Sequence, residues 1–339
     1  MRSNTDTSLV TVPIALVHGM LTGVRAHGDS GAVYLADAGI APELLDESSA
    51  RVTAAQYIAL YRSLIERLDD ESLGFLSRPL KRGSFSLIAR SALGAPDLET
   101  AMRRIARTFR LVQDDVLLES VSDRDLAGLS LSFAGTLAVH PDFLDEMLLR
   151  VFWRLLAWLA GGQLPAARFD FAFKCPPHAD SYNKVFPALS RFEQQQSAFW
   201  FEVDKLKCPV RRDETALREF LADAQANIIL PRRSENMTSA RVREYLQRSL
   251  PGWPDLSTVA GHLHISSSTL QRRLGAEGTS FQALKDDLRR DIAIVRLNTS
   301  TATLTALAQE LGFKDSASFQ RAFKTWTGSP PGAYRRNMS

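Results

Sequence analysis

The chain has 339 residues, 45% hydrophobic and 23% charged, with two cysteines and a net charge of only +3. Such a composition is ordinary for a soluble globular protein and leaves room for two domains, each with a sizeable core. Cys175 and Cys208 make no disulfide framework and have no metal-ligand spacing, which excludes a disulfide-built scaffold and makes a reducing cytoplasm the simplest setting.

The charge is unevenly spread. Residues 231–339 carry 16 Lys+Arg against 9 Asp+Glu, and residues 1–230 carry 25 against 29. A basic carboxyl-terminal module joined to a mildly acidic one fits a nucleic-acid binder attached to a part that avoids nucleic acid, although a chance fluctuation of surface charge would give the same figures.

From the amino terminus, the apolar run Leu9–Val17 is interrupted by Thr11 and Pro13 and is preceded by a single positive charge, Arg2, so it makes a poor signal peptide. Residues 10–78 read as largely helical: Ala15, Val17, Met20 and Leu21 recur at helical spacing, and Tyr57, Leu60, Tyr61, Leu64 and Leu68 form an apolar stripe. Between them, Pro42 suits the first turn of a short helix. Asp97 is placed to cap a helix whose inner face is Leu98, Ala101, Ile105 and Phe109. Arg103, Arg104, Arg107 and Arg110 on the same helix read as a solvated face rather than an anion site. The period then changes. Val116–Val121 and Leu126–Phe133 flank a polar turn and predict a hairpin. A long helix follows over residues 140–159; cut by Arg150 and Arg154, its most apolar part is too short to span a bilayer. Strands are predicted at Phe169–Phe173 and Phe199–Val203, bracketing a helical Tyr182–Phe186. This order predicts a mixed α/β domain with a largely covered sheet. Asp213–Leu230 forms a further helix, and Pro231–Asn236 breaks the pattern as an interdomain linker.

The region after it carries the sharpest signal. In Ala308–Arg336, Ala308 and Leu311 face inward, Gly312 supplies a turn, Phe313 plugs the corner, and Phe319 and Phe323 recur four residues apart on the buried side of a second helix. Ser316, Ala317, Ser318, Gln320 and Arg321 are left on the outer face. Such a helix-turn-helix has the shape to enter a major groove. The stretch Ala260–Leu274 repeats the grammar: Ala260 matches Ala308, Leu263 matches Leu311, and Ile265 matches Phe313. After a one-residue slip, Leu270, Gln271, Arg272 and Leu274 match Phe319, Gln320, Arg321 and Phe323. Repetition of the exposed Gln-Arg pair is harder to ascribe to chance than repetition of buried positions.

On these residues the segment from about Met237 to Arg336 resembles the DNA-binding domain of AraC/XylS-type transcriptional regulators. The family pattern is matched at Ala308, Leu311, Gly312, Phe313, Asp315, Phe319, Arg321, Phe323 and Lys324, then at Gly328, Pro331, Tyr334 and Arg335. Ala317 departs from it, standing where the family usually has serine. The amino-terminal region is similar, more loosely, to the arabinose-binding-like effector domain of a subset of the family. The shared features are Leu73-Gly74, Pro96-x-Leu98-x-x-Ala101, Phe169-x-Phe171, Tyr182 with Phe186, and Leu206-x-x-Pro209. The expected fold is therefore an α/β amino-terminal sensor domain (1–212), a linker helix and hinge (213–236), and an all-α domain (237–339) with two helix-turn-helix motifs joined by a helix.

Asp255 and Thr303 occupy the same repeat position and can cap the first helix of each motif. Phe281–Leu297, buried along Leu284, Leu288, Ile292 and Val295, can hold the two recognition helices one DNA turn apart. Ser268, Gln271 and Arg272 are the groove-facing candidates of the first motif; Ser316, Ala317, Ser318, Gln320 and Arg321 are those of the second. Arginine pairs with guanine and glutamine with adenine, each good pair discriminating by roughly 1–3 kcal/mol. Arg273, Lys324, Arg335 and Arg336 are the phosphate candidates.

No phosphate-cradling, dinucleotide-binding or nucleophile-elbow motif appears, and the histidines, His262 and His264 among them, lack metal spacing. No cofactor and no metal are expected. Cys175 and Cys208 make weak nucleophile candidates, Cys175 standing out only because His178 lies near it in sequence. The resemblance implies promoter DNA, a small-molecule effector of unidentified structure and RNA polymerase as partners, a homodimer as a possible state, and activation as the family's commoner mode. No membrane partner is implied. Phe169, Phe171, Phe199 and Trp200 are candidates to line an effector pocket, with plain core the favoured reading. Two competing readings are an enzyme or repair-type protein that uses the carboxyl-terminal domain for DNA targeting, and a constitutive architectural DNA binder.

Overall fold

The computed structural model describes residues 9–134, 142–162, 164–176, 179, 182, 186–222 and 238–335. His140, His178, Ala224, Ile228, the Pro231–Asn236 linker and Arg336 lie outside the described residues. The chain divides into two compact units, and the division is not a single cut. One unit gathers Met1–Ile14, Gly39–Tyr57 and Arg233–Ser339; the other takes Ala15–Ala38 and Ile58–Arg232.

The larger unit is built on a five-stranded sheet of order β3-β4-β7-β5-β6. Its hairpin is β3 (Val116–Asp123) and β4 (Leu126–Phe133), in which Asp123 faces Leu126 across a two-residue turn. Arg124 takes the left-handed backbone that such a turn demands. β7 (Ser197–Glu202) and β5 (Arg168–Asp170) continue antiparallel, while β6 (Leu189–Arg191) joins β5 in parallel. β6 was not expected from the sequence: three half-exposed or exposed residues, Leu-Ser-Arg, carry no alternation to detect.

The helices Leu98–Val112 and Asp142–Leu159 pack on this sheet. α1 (Ile14–Ala26), α2 (Ala32–Ala38), α3 (Ala54–Leu68) and α4 (Ser84–Ser91) precede α5 (Leu98–Val112), which is capped by Asp97 through the Thr100 N–H at 2.8 Å. Leu98, Ala101, Met102, Ile105 and Phe109 are buried along α5 and its four arginines are exposed, as the periodicity requires. α6 (Asp142–Leu159) lies against β4 and β7, with Phe152 edge-on to Phe109 and Trp153 edge-on to Phe169. α7 (Glu214–Ala222) buries Leu217, stacks Phe220 on Trp158 and pairs Glu214 with Arg90 of α4 at 2.6 Å.

α6 also buries charge. Glu146 accepts the hydroxyl proton of Tyr182, and burial pushes its carboxyl up to about 7 against the opposing pull of that bond and of Arg150. From the ordinary value of 4.5 up to about 7, the unfolded chain has lost this proton while the folded chain keeps it. Stability therefore falls as pH rises through that window and levels off above it. Glu146→Gln is expected to flatten this slope, read as a smaller difference between thermal melts at about pH 5 and about pH 8.

In the smaller unit, β1 (Thr11–Pro13) pairs antiparallel with β2 (Arg51–Thr53), with Val12 opposite Val52. The reading of residues 10–78 as largely helical does not include this ribbon; three-residue strands are too short to show a period. Pro42 opens a 3-10 turn, Pro42–Asp46, at the place the sequence indicated. The helices are α8 (Thr238–Arg248), α9 (Leu256–His262), α10 (Ser267–Ala276), α11 (Phe281–Thr299), α12 (Leu304–Glu310) and α13 (Ser316–Thr327), followed by the 3-10 turn Pro331–Tyr334. No helix among the described residues is long and apolar enough to cross a membrane.

Candidate nucleic-acid interface

The two helix pairs, α9 with α10 and α12 with α13, are built alike. Asp255 and Thr303 cap the first helix of each by accepting the N–H three residues on, at 2.8 and 3.2 Å. Ser266 and Asp315 cap the second helices through Thr269 and Ser318, at 3.2 and 2.7 Å. Thr258 and Ser318 hold the carboxyls of Asp255 and Asp315 well below the usual range, so both caps are charged at neutral pH.

The turns match bond for bond. Ile265 N–H donates to the Ala260 carbonyl at 3.0 Å, and Phe313 N–H to that of Ala308 at 2.8 Å. The left-handed residue of the second turn is Gly312, at φ 75°, where an added Cβ would sit 2.8 Å from Cδ1 of Trp253. Its counterpart is His264, at φ 56°. A histidine at a turn position explains the pair His262 and His264 without metal chemistry: His262 stacks on Tyr245 at 4.1 Å while His264 supplies the bend. The one-residue slip between the repeats falls in the turn itself, where Lys314 is the additional residue before the cap.

Leu270, Leu274, Phe319 and Phe323 are all within 1% of complete burial, and Phe313 packs at 5.7 Å from Phe319. Inward anchoring at i and i+4 turns the intervening residues outward. Gln271 and Arg272 on α10, and Gln320 and Arg321 on α13, are exposed, as are Ser268, Arg273, Ala317, Lys324 and Arg335; Ser316 and Ser318 are half-exposed. The sequence-derived groove and phosphate candidates among the described residues thus fall on the outer faces of the second helices or just beyond α13. Arg321 is steadied by the Ser318 hydroxyl at 3.1 Å, and Arg335 donates to the Ala302 carbonyl at 2.7 Å.

Between the motifs α11 runs 19 residues, about 28 Å at 1.5 Å per residue. Leu284, Leu288, Ile292 and Leu297 are buried along it, with Val295 half-buried. Its cations tie the motifs to it. Arg289 lies 4.7 Å over Trp253 and donates to the Leu311 carbonyl at 3.0 Å, closing the end of α12. Arg296 pairs with Glu310 at 2.8 Å, and Lys285 donates to the Pro254 carbonyl at 3.1 Å. Sequence reading passed over Trp253 and Arg289, because a lone tryptophan in a Pro-Gly-Trp-Pro connection has no periodicity to place it.

A second site of interest lies in the larger unit. A cleft of about 710 Å³ is walled by apolar side chains of α4, α5 and α6, including Ile88, Phe109, Leu148 and Phe152, and edged by Glu66, Asp69, Glu71 and Arg82. Burial raises the Glu71 carboxyl, opposed by the N–H groups of Phe85 and Gly83, each 2.7 Å away. Phe169, Phe171, Phe199 and Trp200 do not line this cleft. All four are 0–6% exposed; Phe169 packs against Phe171, Phe199, Trp153 and Phe186, while Trp200 points to the other face of the sheet. Trp200 is further fixed by its indole bond to Asp170 at 2.7 Å and by Arg168 at 4.6 Å over its ring. Cys175 is exposed.

The family model described as the arabinose-binding domain of AraC transcription regulators, amino-terminal, matches residues 28–210, and a helix-turn-helix domain model matches residues 259–337. The ornithine utilization regulator of Pseudomonas aeruginosa is 28% identical over 325 residues, covering 96% of each chain. An uncharacterised helix-turn-helix transcriptional regulator of Mycobacterium tuberculosis is 26% identical over 336 residues, again covering 96% of each. The solved structure of the transcriptional regulator CdpR from Pseudomonas aeruginosa is 22% identical and covers 90% of this chain and 96% of that one, with a TM-score of 0.34.

Proposed function

Since this chain belongs to the AraC-type transcription regulators, with a ligand-binding amino-terminal domain and a helix-turn-helix carboxyl-terminal domain, we propose that α10 and α13 read two successive major grooves on one face of promoter DNA. The observation that carries this reading is the repeat itself: both second helices expose the same Gln-Arg pair over a buried i, i+4 anchor, on either side of one continuous helix. A spacer of about 28 Å suits grooves about 34 Å apart. Arg272 and Arg321 take guanine, Gln271 and Gln320 take adenine, and Ser268, Ser316, Ala317 and Ser318 add smaller contacts. Arg273, Lys324, Arg335 and Arg336 hold phosphates.

Residues 1–212 then carry effector sensing, 213–236 the connection and 237–339 the DNA contacts. The 710 Å³ cleft supports an effector site better than the aromatic core does, because it is already open and combines apolar walls with charged edges. The protein works in the cytoplasm, activates by contacting RNA polymerase, and pairs as a homodimer. The relatives are regulators of transcription, so the enzyme alternative finds no support among them.

The test is selection of random duplex DNA by the full-length protein near physiological salt, followed by footprinting. A motif of two blocks about one helical turn apart is expected. A single block, or none with and without candidate effectors, would overturn the bipartite reading.

A further inference from the structure

The β1–β2 ribbon comes from the first 53 residues of the chain, yet it packs with the helices around α11. The Thr11 hydroxyl donates to Oδ1 of Asp291 at 2.5 Å and accepts from Nε of Arg51 at 2.7 Å. A second Arg51 nitrogen reaches the Thr11 carbonyl at 2.8 Å, which locks the two strands together beneath that contact. Asp291, 3% exposed in the middle of α11, is also held by Arg243 of α8. Two turns further along the same helix, Asn298 accepts from the Gln56 amide at 3.1 Å. The ribbon and the first turn of α3, which belongs to the same unit, thus hold the spacer at two points on one face.

The same segment reaches the second motif. The Arg51 N–H donates to the Tyr334 hydroxyl at 3.2 Å, and Tyr334 lies edge-on to Phe323, a buried anchor of α13. At the end of α13, a Cβ on Gly328 would come within 2.7 Å of Glu47 and Ser49, so the turn before β2 sits directly against that terminus.

We infer that Thr11, Arg51 and Gln56 are positioning residues for DNA reading: the ribbon fixes α11 relative to α13 and so sets the base-pair distance at which the second motif engages DNA relative to the first. The inference rests on the bipartite reading proposed above. Buried, mutually polarising hydrogen bonds leave little play, and one base-pair step of B-DNA is only about 3.4 Å. A small release of the clamp is therefore visible as tolerance of altered spacing.

The experiment uses the full chain and duplexes carrying the selected motif with its blocks at the native spacing, or with one base pair inserted or removed. Wild type is expected to bind the native spacing best. Thr11→Val keeps the side-chain shape and Asp291 keeps its arginines, while Asn298→Ala cuts the second grip without touching the ribbon. Either change is expected to shrink the preference for native spacing by about fivefold, the effect of one buried hydrogen bond, and Thr11→Ser is expected to restore it. A preference unchanged in both variants, whatever the loss of affinity or of melting temperature, would show that the ribbon only stabilises the fold. No preference in wild type would instead overturn the bipartite reading and this inference with it.

Discussion

Asp291→Ala is expected to destabilise the helix-turn-helix unit by about 3–5 kcal/mol, a large part of what holds an ordinary domain together. Asp291 accepts bonds from Arg243, Arg290 and Thr11, and Arg51 stands close by. Burial opposes its ionisation, but the surrounding guanidinium groups outweigh burial and hold the carboxyl far below the usual range. Arg51, by contrast, is pushed down to about 10 by burial and by the neighbouring Arg290 charge. Removing the carboxylate leaves Arg243 buried without its counter-ion, and that uncompensated charge is the source of the cost. Urea unfolding followed by the fluorescence of the unit's tryptophans, Trp253 and Trp326, would measure it. Arg243→Met combined with Asp291→Leu should recover part of the loss, since an apolar pair of similar volume replaces an ion pair at small net cost. A single-variant loss below about 1 kcal/mol would mean that water reaches the site.

Arg321→Ala is expected to weaken binding to the selected site by about 1–3 kcal/mol, some 5- to 150-fold, and to relax preference at one base pair only. Lys324→Ala, one turn further along the same exposed face, should lower affinity for all sequences alike and reduce the salt slope by about one. Both residues are exposed on α13, and neither carries the fold, which rests on Phe319 and Phe323 beneath them. Titration of matched and single-substituted duplexes at two salt concentrations separates the two effects. Equal, sequence-independent losses would mean that the reading face of α13 has been assigned wrongly.

The sequence by itself determined the repeat, its caps and the faces of its helices, because each depends on contacts within a few residues. Asp255 and Thr303 cap neighbouring N–H groups, and Leu270 with Leu274 or Phe319 with Phe323 record a 3.6-residue period directly. The hairpin of β3 and β4 and the inner face of α5 were legible for the same reason. The family of the chain followed from that local grammar.

Only the tertiary structure decided the rest. Asp291 stands in the run Asp-Asp-Leu-Arg-Arg-Asp, which reads as solvated helix charge, and it is buried because Thr11, 280 positions away, comes to meet it. β1, β2 and β6 have three residues each, so their pairing is set by partners elsewhere in the chain and leaves no period of its own. Phe169, Phe171, Phe199 and Trp200 could as well have faced a pocket as a core, since aromatic side chains suit either environment. Which one they face depends on what is laid across each side of their sheet: Trp153 of α6 closes over Phe169, Trp200 on the opposite side is held by Asp170 and Arg168, and the cleft beside Phe109 and Phe152 stays open. Short-range hydrogen bonds and helical periodicity are written into neighbouring residues; burial of a charge or an aromatic ring is decided by what the distant chain brings to it.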